Sequence, residues 1–166
     1  MWNPGLNNDH LTLREVYDDF IDRYHQEDIP WQVKWVENPH YKLALSGAVD
    51  LYTHDCIHIL LGRGDRPDEE TFVIGATMGS DPNLKAWEIK AYRWLSRYFY
   101  PDEYKFSYQD LFMFNIGIYT ARAMGITNLS EIHFKKYEHC ELGELRKKLW
   151  VNSDLLKAVY SRHYPS

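Results

Sequence analysis

Apolar residues along most of the chain recur three and four positions apart, which is the spacing of one buried face of an α-helix. The first such segment carries Val16, Phe20 and Ile21 and follows the tetrapeptide Thr12-Leu13-Arg14-Glu15. In that tetrapeptide the threonine hydroxyl and the glutamate carboxylate can each accept a hydrogen bond from a free backbone N–H at a helix start. No segment alternates apolar and polar residues convincingly over the length of a strand. The pattern therefore predicts an all-α fold.

Turn-forming residues divide the chain into about six to eight predicted helices. The predicted helices follow Thr12, begin at Pro30, run from about Lys42 to Leu61, from Pro67 to Gly79, from Ser80-Asp81-Pro82 to Tyr98, from Ser107 to Gly125, and from Asn128 onward with a bend or restart near Gly143. A chain of 166 residues is long enough to bury a substantial core without disulfides or metals. We therefore expect one compact helical domain over residues 1–166.

The composition narrows the classes of partner and compartment. The net charge of -5 provides no positive field for a phosphate backbone, so a nucleic-acid partner is not expected. Cys56 and Cys140 are too few for a disulfide scaffold, which favours a reducing compartment. The sequence predicts no secretory signal, transit peptide or membrane-spanning segment, so we expect a cytoplasmic protein, with contact to a membrane surface left open. The 16% content of aromatic residues is compatible with a homodimer interface.

Two histidines inside the third predicted helix are the clearest candidates for chemistry. His54 and His58 are four positions apart, so both imidazoles can face one point. Asp55 stands three residues before His58 and could be a third ligand or the acceptor that fixes the tautomer of a ring. The loop that follows reverses the chain, and the next helix opens with Glu69 and Glu70. One of these carboxylates could return to the same point, and the helical register favours Glu70.

Such a group of side chains suits a borderline divalent metal ion. Two imidazoles with one or two carboxylates are typical ligands of Zn, with Fe, Co and Mn as alternatives. Calcium is disfavoured because it requires many oxygen ligands. The alternative interpretation is that His54 and His58 are ordinary helix residues paired with neighbouring acids.

The sequence His54-Asp55-x-x-His58, then eleven residues, then Glu70 resembles the metal-binding motif of the Coq-four family of ubiquinone (coenzyme Q) biosynthesis. The Leu61-Gly62 step and the small-residue segment Ile74-Gly75-Ala76-Thr77-Met78-Gly79 are also similar to that family. Tyr137-Glu138 followed by Leu145-Arg146-Lys147-Lys148-Leu149 resembles its last helix, with fewer residues between the two parts. The resemblance covers roughly residues 40–150. Glu69 departs from the family, whose members often carry glycine at this position.

The resemblance implies an all-helical, membrane-peripheral protein that binds a divalent metal, usually zinc. Such a protein acts on a polyprenylated ring, or organises enzymes around one. The family is associated with replacing the ring carboxyl group by hydroxyl and with scaffolding the quinone-synthesis complex. If this transfers, a metal held by His54, Asp55, His58 and Glu70 would bind the ring carboxylate or phenolate and act as a Lewis acid.

A prenylated quinone precursor or another isoprenoid lipid would also require an apolar groove. The residues expected to line it are Phe72, Gly75, Ala76, Met78, Gly79, Phe112 and Phe114. Gly75 and Gly79 are equally explained by tight helix–helix packing, which is the commoner use of that spacing. Arg63 and Arg66 flank the loop after the histidines and are candidates for holding an anionic group.

Two other functions remain open from the sequence. The first is a non-catalytic lipid-binding or scaffolding module whose metal is structural, with a closed set of ligands. The second is a metal-dependent phosphohydrolase built on a helical His-Asp pair. It would require one more upstream histidine and one distant downstream aspartate, for which the candidates are His25 or His40 and Asp81 or Asp110. That interpretation leaves His58 and Glu70 unexplained.

Overall fold

The computed structural model describes residues 2–23 and 45–163 of the chain. Within these ranges the α-helices are α1 (Leu13–Arg23), α2 (Leu51–Leu61), α3 (Pro67–Gly79), α4 (Ala86–Tyr98), α5 (Tyr108–Met124), α6 (Leu142–Lys148) and α7 (Ser153–His163). Short 3-10 turns cover Asp102–Tyr104, Leu129–Glu131 and Phe134–Tyr137. The β structure of the described ranges is limited to one isolated bridge between Thr12 and Glu141. The prediction of an all-α fold with six to eight helices is confirmed.

Helices α3 and α5 pack closely against each other in the described part of the chain, because glycines lie where they cross. A Cβ atom on Gly75 would lie 2.0 Å from the backbone oxygen of Phe114, and one on Gly117 would lie 2.1 Å from that of Phe72. No side chain fits at either distance, so the two backbones meet directly. One group of buried apolar residues packs α2 and α3 against α1 and the C-terminal helices, and a second fills the space between α3, α4 and α5.

Several predicted helix ends are confirmed in atomic detail. The backbone N–H of Thr12 donates to Glu15 Oε2 (2.8 Å), and the N–H of Glu15 donates to Thr12 Oγ1 (3.2 Å). Helix α3 has the predicted bounds, Pro67 to Gly79. Helix α5 begins after the Ser107 cap and ends at Gly125, whose φ of 72° is the left-handed conformation that glycine adopts readily.

Helix α2 begins at Leu51, so the prediction that it runs continuously from about Lys42 was wrong in the described part, residues 45–50. Gly47 has a φ of 85°, which no right-handed helix contains. Asp50 then caps α2 by accepting a hydrogen bond from the N–H of Thr53 (2.9 Å). The segment before the cap is held instead by Glu88 of α4, which accepts hydrogen bonds from the N–H and hydroxyl of Ser46 (3.0 and 2.7 Å).

Helix α4 begins at Ala86 and not at the predicted Ser80-Asp81-Pro82 cap. The hydroxyl of Ser80 donates to the carbonyl oxygen of Thr77 (2.7 Å), so this residue ends α3. Asp81 accepts from the N–H of Asn83 (2.7 Å) and forms a turn.

The predicted final segment from Asn128 is also divided. It contains two 3-10 turns, α6 and α7, and both Asn128 (φ 54°) and Trp150 (φ 60°) interrupt helical geometry. The helix predicted from Pro30, with Trp31 and Trp35 on one face, lies outside the described residues. No helix in the described ranges has both the length and the apolar character needed to cross a membrane.

Candidate metal centre

The two histidines of α2 face each other across one helical turn, as their spacing predicted. Their Nε2 atoms are 3.0 Å apart, and the ring centroids are separated by 4.7 Å with the planes at 67°. The His58 side chain is buried, at 7% exposed, whereas the His54 side chain is 19% exposed. The pair therefore lies at the edge of the core, with one ring accessible from solvent.

Glu70, in the first turn of α3, brings its carboxylate to the same point. Its Oε1 lies 2.9 Å from Nε2 of His54, and its Oε2 lies 3.0 Å from Nε2 of His58. The loop between the helices makes this possible. Gly62 ends α2 with a φ of 64°, and Pro67 occupies the first position of α3, where its missing N–H costs no hydrogen bond.

A backbone hydrogen bond orients the His58 ring. The Nδ1 atom of His58 lies 3.3 Å from the carbonyl oxygen of Arg63, which can only accept, so the Nδ1–H donates and the neutral ring has its lone pair on Nε2. The N–H of Arg63 in turn donates to the carbonyl oxygen of His58 (3.0 Å). This lone pair points towards the Glu70 carboxylate and the second imidazole. The two imidazole nitrogens and the two carboxylate oxygens are electron-rich, and they repel each other unless protons or a metal ion lie between them.

The geometry of these three donors fits a divalent metal ion. Among the described residues, His54, His58 and Glu70 come together as a group that could hold a metal ion. Each offers one ligand atom, and these atoms all lie within 4.8 Å of one another. In a tetrahedral zinc site with bonds of about 2.0–2.1 Å, ligand atoms lie roughly 3.3 Å apart. The two imidazole Nε2 atoms are 3.0 Å apart, and each has a different oxygen of Glu70 at 2.9 or 3.0 Å, so the donors are close enough to share one ion. Two histidines and one glutamate are also a ligand set of catalytic zinc sites, which leave a fourth position for water or substrate.

The electrostatics of Glu70 keep its carboxylate ionised. Burial alone would raise the pKa of Glu70. Without a metal ion, protonated rings of His54 and His58 hold this pKa well below its ordinary range through their charges and through the hydrogen bonds that they donate. An anionic oxygen pair facing two imidazoles is the arrangement that a cation would stabilise most.

Asp55 is buried beside this group but is not one of the three converging ligands. Burial raises the pKa of Asp55 to about 7, His54 opposes that rise, and the nearby charge of Glu70 adds to it. Among the described residues its Oδ2 atom has no hydrogen-bond partner. A buried carboxylate oxygen without a partner is costly, and a cation close by would reduce that cost.

Glu69, the second candidate carboxylate, has a structural role. It is buried and accepts hydrogen bonds from the side chain of Asn3 (2.9 Å) and the backbone N–H of Gly64 (3.2 Å). It therefore ties the N-terminal segment to the loop beside the metal centre. Of the two carboxylates, Glu70 is the one that contacts both histidines, as its helical register suggested.

The two arginines expected to bind an anion interact with other parts of the protein. Arg63 is buried, and its guanidinium lies 4.1 Å from the centroid of the Phe72 ring and 4.9 Å from that of Tyr160. Arg66 makes a two-pronged contact with the Asp68 carboxylate, at 3.1 and 2.7 Å. Neither guanidinium is thus an unoccupied anion site at the loop surface.

Most residues expected to line a lipid groove belong instead to the packed core, because α3 and α5 cross where the groove was expected. Phe72, Gly75, Ala76, Met78, Gly79 and Phe114 are all buried, and only Phe112, at 53% exposed, reaches the surface. The small residues of α3 receive the backbone of α5, so the space expected for a lipid tail is filled by another helix. The alternative explanation for Gly75 and Gly79, tight helix packing, describes what the structure contains.

The sequence analysis did not identify the role of Arg146, which is far from α2 along the chain but hydrogen-bonds to the end of this helix. Its guanidinium is buried and donates to the carbonyl oxygen of Ile59 (3.1 Å) at the end of α2 and to the side chain of Asn8 (2.9 Å). A signal was present, because Arg146 lies four residues after Leu142 and so shares the apolar face of α6.

The aspartates that a His-Asp phosphohydrolase would need are engaged at helix and turn starts. Asp81 accepts from the N–H of Asn83, and Asp110 accepts from the N–H of Ser107 (2.7 Å). His25 and His40 lie outside the described residues. Comparison of the whole chain with protein-family models, curated proteins and solved structures gives no match.

Proposed function

We propose that this chain is a metal-binding protein of prenylquinone biosynthesis, in which His54, His58 and Glu70 hold a divalent ion. Zinc suits the ligands best, with Fe, Co and Mn as alternatives. The observation that carries the proposal is the convergence of the three side chains from two helices. The Nε2 atoms of His54 and His58 are 3.0 Å apart, and each contacts one oxygen of the Glu70 carboxylate at 2.9–3.0 Å. The pathway assignment rests on the resemblance of this motif to the Coq-four family.

In this proposal the substrate is a prenylated aromatic acid, and its carboxylate or phenolate would be bound at the ion that His54, His58 and Glu70 would hold. A metal ion there would supply Lewis-acid stabilisation of negative charge as the bond to the ring carboxyl breaks. The chain's own residues orient the site: the Arg63 carbonyl fixes the His58 ring, and Glu70 bridges both imidazoles. The substrate's tail would need a surface other than the face of α3 that α5 covers.

Replacing the ring carboxyl by hydroxyl has a defined balance of atoms and electrons. The carboxyl leaves as carbon dioxide, and dioxygen is the oxidant. One oxygen atom enters the ring as hydroxyl and the other leaves as water, while an external donor supplies two electrons. The protein's contribution in this scheme is to bind the acid and stabilise its charge.

A second candidate, a lipid-binding or scaffolding module with a structural metal, is favoured by Asp55. This buried carboxylate has an unpartnered oxygen and lies beside His54 in the chain. If it moved onto the ion, the metal would have four protein ligands and no position for substrate, as in structural zinc sites. The distinction between an open and a closed site is thus the distinction between the two functions.

The test begins with metal content and then probes the fourth position. Elemental analysis should give one divalent ion per wild-type chain and almost none in His58→Ala. His133→Ala, an exposed histidine outside the site, is the control. In the Co(II)-loaded protein, a hydroxybenzoic acid added as probe should alter the visible spectrum if the position is open. Unchanged metal content in His58→Ala would refute the metal centre, and an unresponsive Co(II) spectrum would favour the structural role.

Lipid extraction and mass spectrometry test the isoprenoid part of the proposal. The purified protein should carry or bind a prenylated ring compound. Recovery of none, together with no binding on titration with prenylated quinone precursors, would refute the assignment to this pathway while leaving the metal centre intact.

A further inference from the structure

A second site lies on the surface between helices α4 and α5, at residues that do not include the metal ligands. The two helices contact each other through Tyr92 and Phe114, whose rings stack with centroids 4.8 Å apart. The space between them is a groove of about 700 Å³, here called the α4–α5 groove. Nothing in the proposed metal function uses it.

Large aromatic side chains line this groove and are unusually exposed. They are Trp94, Tyr98, Tyr108, Phe112 and Tyr119, each more than half exposed, with Trp94 at 59% and Tyr119 at 67%. On α5 the spacing of Tyr108, Phe112 and Tyr119 places them along one face. Exposed apolar side chains that lie together, rather than scattered singly, mark a surface that binds something.

The polar lining of the groove is almost entirely cationic. Lys90, Arg93, Arg97 and Arg122 line it, and it contains no aspartate or glutamate, although the chain as a whole carries a net charge of -5. Arg97 donates to the carbonyl oxygen of Phe106 (2.9 Å) and lies 4.2 Å from the ring centroid of Tyr108. Within the described ranges, none of the four cations has a carboxylate within 4.0 Å. The groove therefore offers positive charge to an external partner.

We propose that the α4–α5 groove binds an acidic amphipathic helix of a partner protein. Trp, Tyr and Arg, which dominate the lining, are the residue types that carry most binding energy at protein–protein interfaces. A groove between two helices accommodates the apolar face of a third helix, and acidic side chains on that helix would pair with the four cations. The thirteen residues of α4 span about 20 Å, enough for a partner helix of three to four turns.

Other occupants fit this surface less well. A small molecule is usually buried over 70–90% of its surface, whereas the aromatic walls here stay more than half exposed and form a shallow site. A membrane surface is broad, whereas the groove is concave and bounded by two helices. A second copy of the chain would have to bring an acidic helix of its own, since two copies of this groove repel each other by charge.

The experiment uses a displayed library of random 16-residue peptides selected against the full chain. We expect enriched peptides to carry acidic residues interleaved with Leu, Phe or Trp at helical spacing, and to bind more weakly at high salt. Trp94→Ala should weaken the binding of these peptides at least tenfold. Trp87→Ala is the matched control, because it lies on the same helix with the same 59% exposure but outside the groove lining.

Charge reversal provides the second arm of the test. The double variant Lys90→Glu/Arg122→Glu should abolish binding, whereas Lys147→Glu/Lys157→Glu, which changes the net charge equally at exposed helix positions elsewhere, should not. Enriched peptides without an acidic excess, or peptides that bind all four variants as they bind the wild type, would overturn the proposal. Binding to anionic phosphatidylserine vesicles that depends on Trp94 and Lys90, with no acidic peptide enriched, would overturn it in favour of a membrane.

Discussion

Nε of Arg146 donates to the carbonyl oxygen of Leu60 at 3.0 Å, across 86 residues of chain. This bond satisfies the carbonyl group of Leu60 in the last turn of α2. A second bond from Arg146 goes to the Ile59 carbonyl oxygen, which also accepts from the N–H of Gly62 (3.2 Å). A positive charge at this end also complements the helix dipole. The C-terminal part of the chain thereby fixes the helix that presents both histidines.

Arg146→Met should destabilise the protein by about 3 kcal/mol, because the variant removes the side-chain donor to the buried Leu60 carbonyl oxygen and to the side chain of Asn8. Urea denaturation of the metal-free protein measures this loss. Lys147→Met changes an exposed charge on the next residue and should cost less than about 0.5 kcal/mol. Equal stability of the two variants would show that the buried guanidinium is not a structural support.

Gly117→Ala should cost several kcal/mol or prevent folding, because the new Cβ atom would lie 2.1 Å from the Phe72 backbone oxygen. The helices would have to separate, and a backbone oxygen cannot move away as a flexible side chain can. Thermal and urea unfolding give the loss of stability. Gly125→Asn is the control: its position has a φ of 72°, which Asn tolerates, and no atom lies within 4 Å of a Cβ placed there. A loss for Gly117→Ala no greater than that for Gly125→Asn would contradict the close crossing.

Removal of the metal should lower the melting temperature. An ion at a free concentration of 100 times its dissociation constant stabilises the folded state by about 2.7 kcal/mol. For a chain of this length that corresponds to a shift of roughly 5–10 °C, which differential scanning calorimetry with and without a chelator would detect. Glu70→Gln should bind metal more weakly and show a correspondingly smaller shift. A full-sized shift in that variant would mean that the stabilising ion is bound elsewhere.

Protonation of Asp55 should make the metal-free protein more stable as the pH falls from 7 towards 4. The folded-state pKa of about 7 is above the ordinary value of 3.8, so the folded state holds a proton that the unfolded state releases. Asp55 therefore contributes a slope of up to about 1.4 kcal/mol per pH unit in this range, with stability lost as the pH rises.

Asp55→Asn should abolish that slope and raise the stability of the metal-free protein at pH 7.5. Urea denaturation at several pH values checks this, with the exposed Asp154→Asn as control. In the presence of zinc the same Asp55 variant should bind the ion 10- to 100-fold more weakly, as is usual when a group supporting the ligands is removed. If the free energy of unfolding of Asp55→Asn depends on pH as that of the wild type does, Asp55 is not the source of the slope.

The predictions from sequence succeeded where local chemistry determines the structure. His54 and His58 had to share a helical face, and the loop from Gly62 to Pro67 left Glu70 only a short distance from them. The Thr12 and Ser107 caps were also recognisable, because each is a contact between residues three positions apart.

The failures concern contacts between distant residues. Apolar spacing extended α2 backward to Lys42, but Gly47 and the bonds from Ser46 to Glu88 are set by a helix that comes 40 residues later. The spacing of the small residues of α3 favoured helix packing but left a lipid tail open. That choice depended on Gly117, whose position opposite Phe72 no local pattern reveals.

All three converging donors fall between positions 54 and 70, so the site is a property of one helical hairpin. Short loops close at little entropic cost, and contacts close in sequence form early in folding. An ion could therefore bind this hairpin during folding, before the C-terminal helices pack against it. It could also stay bound during unfolding, after those helices have dissociated from the hairpin. The ion would then act as a nucleus for assembly of the chain, and zinc in the refolding buffer would speed folding as well as stabilise its product.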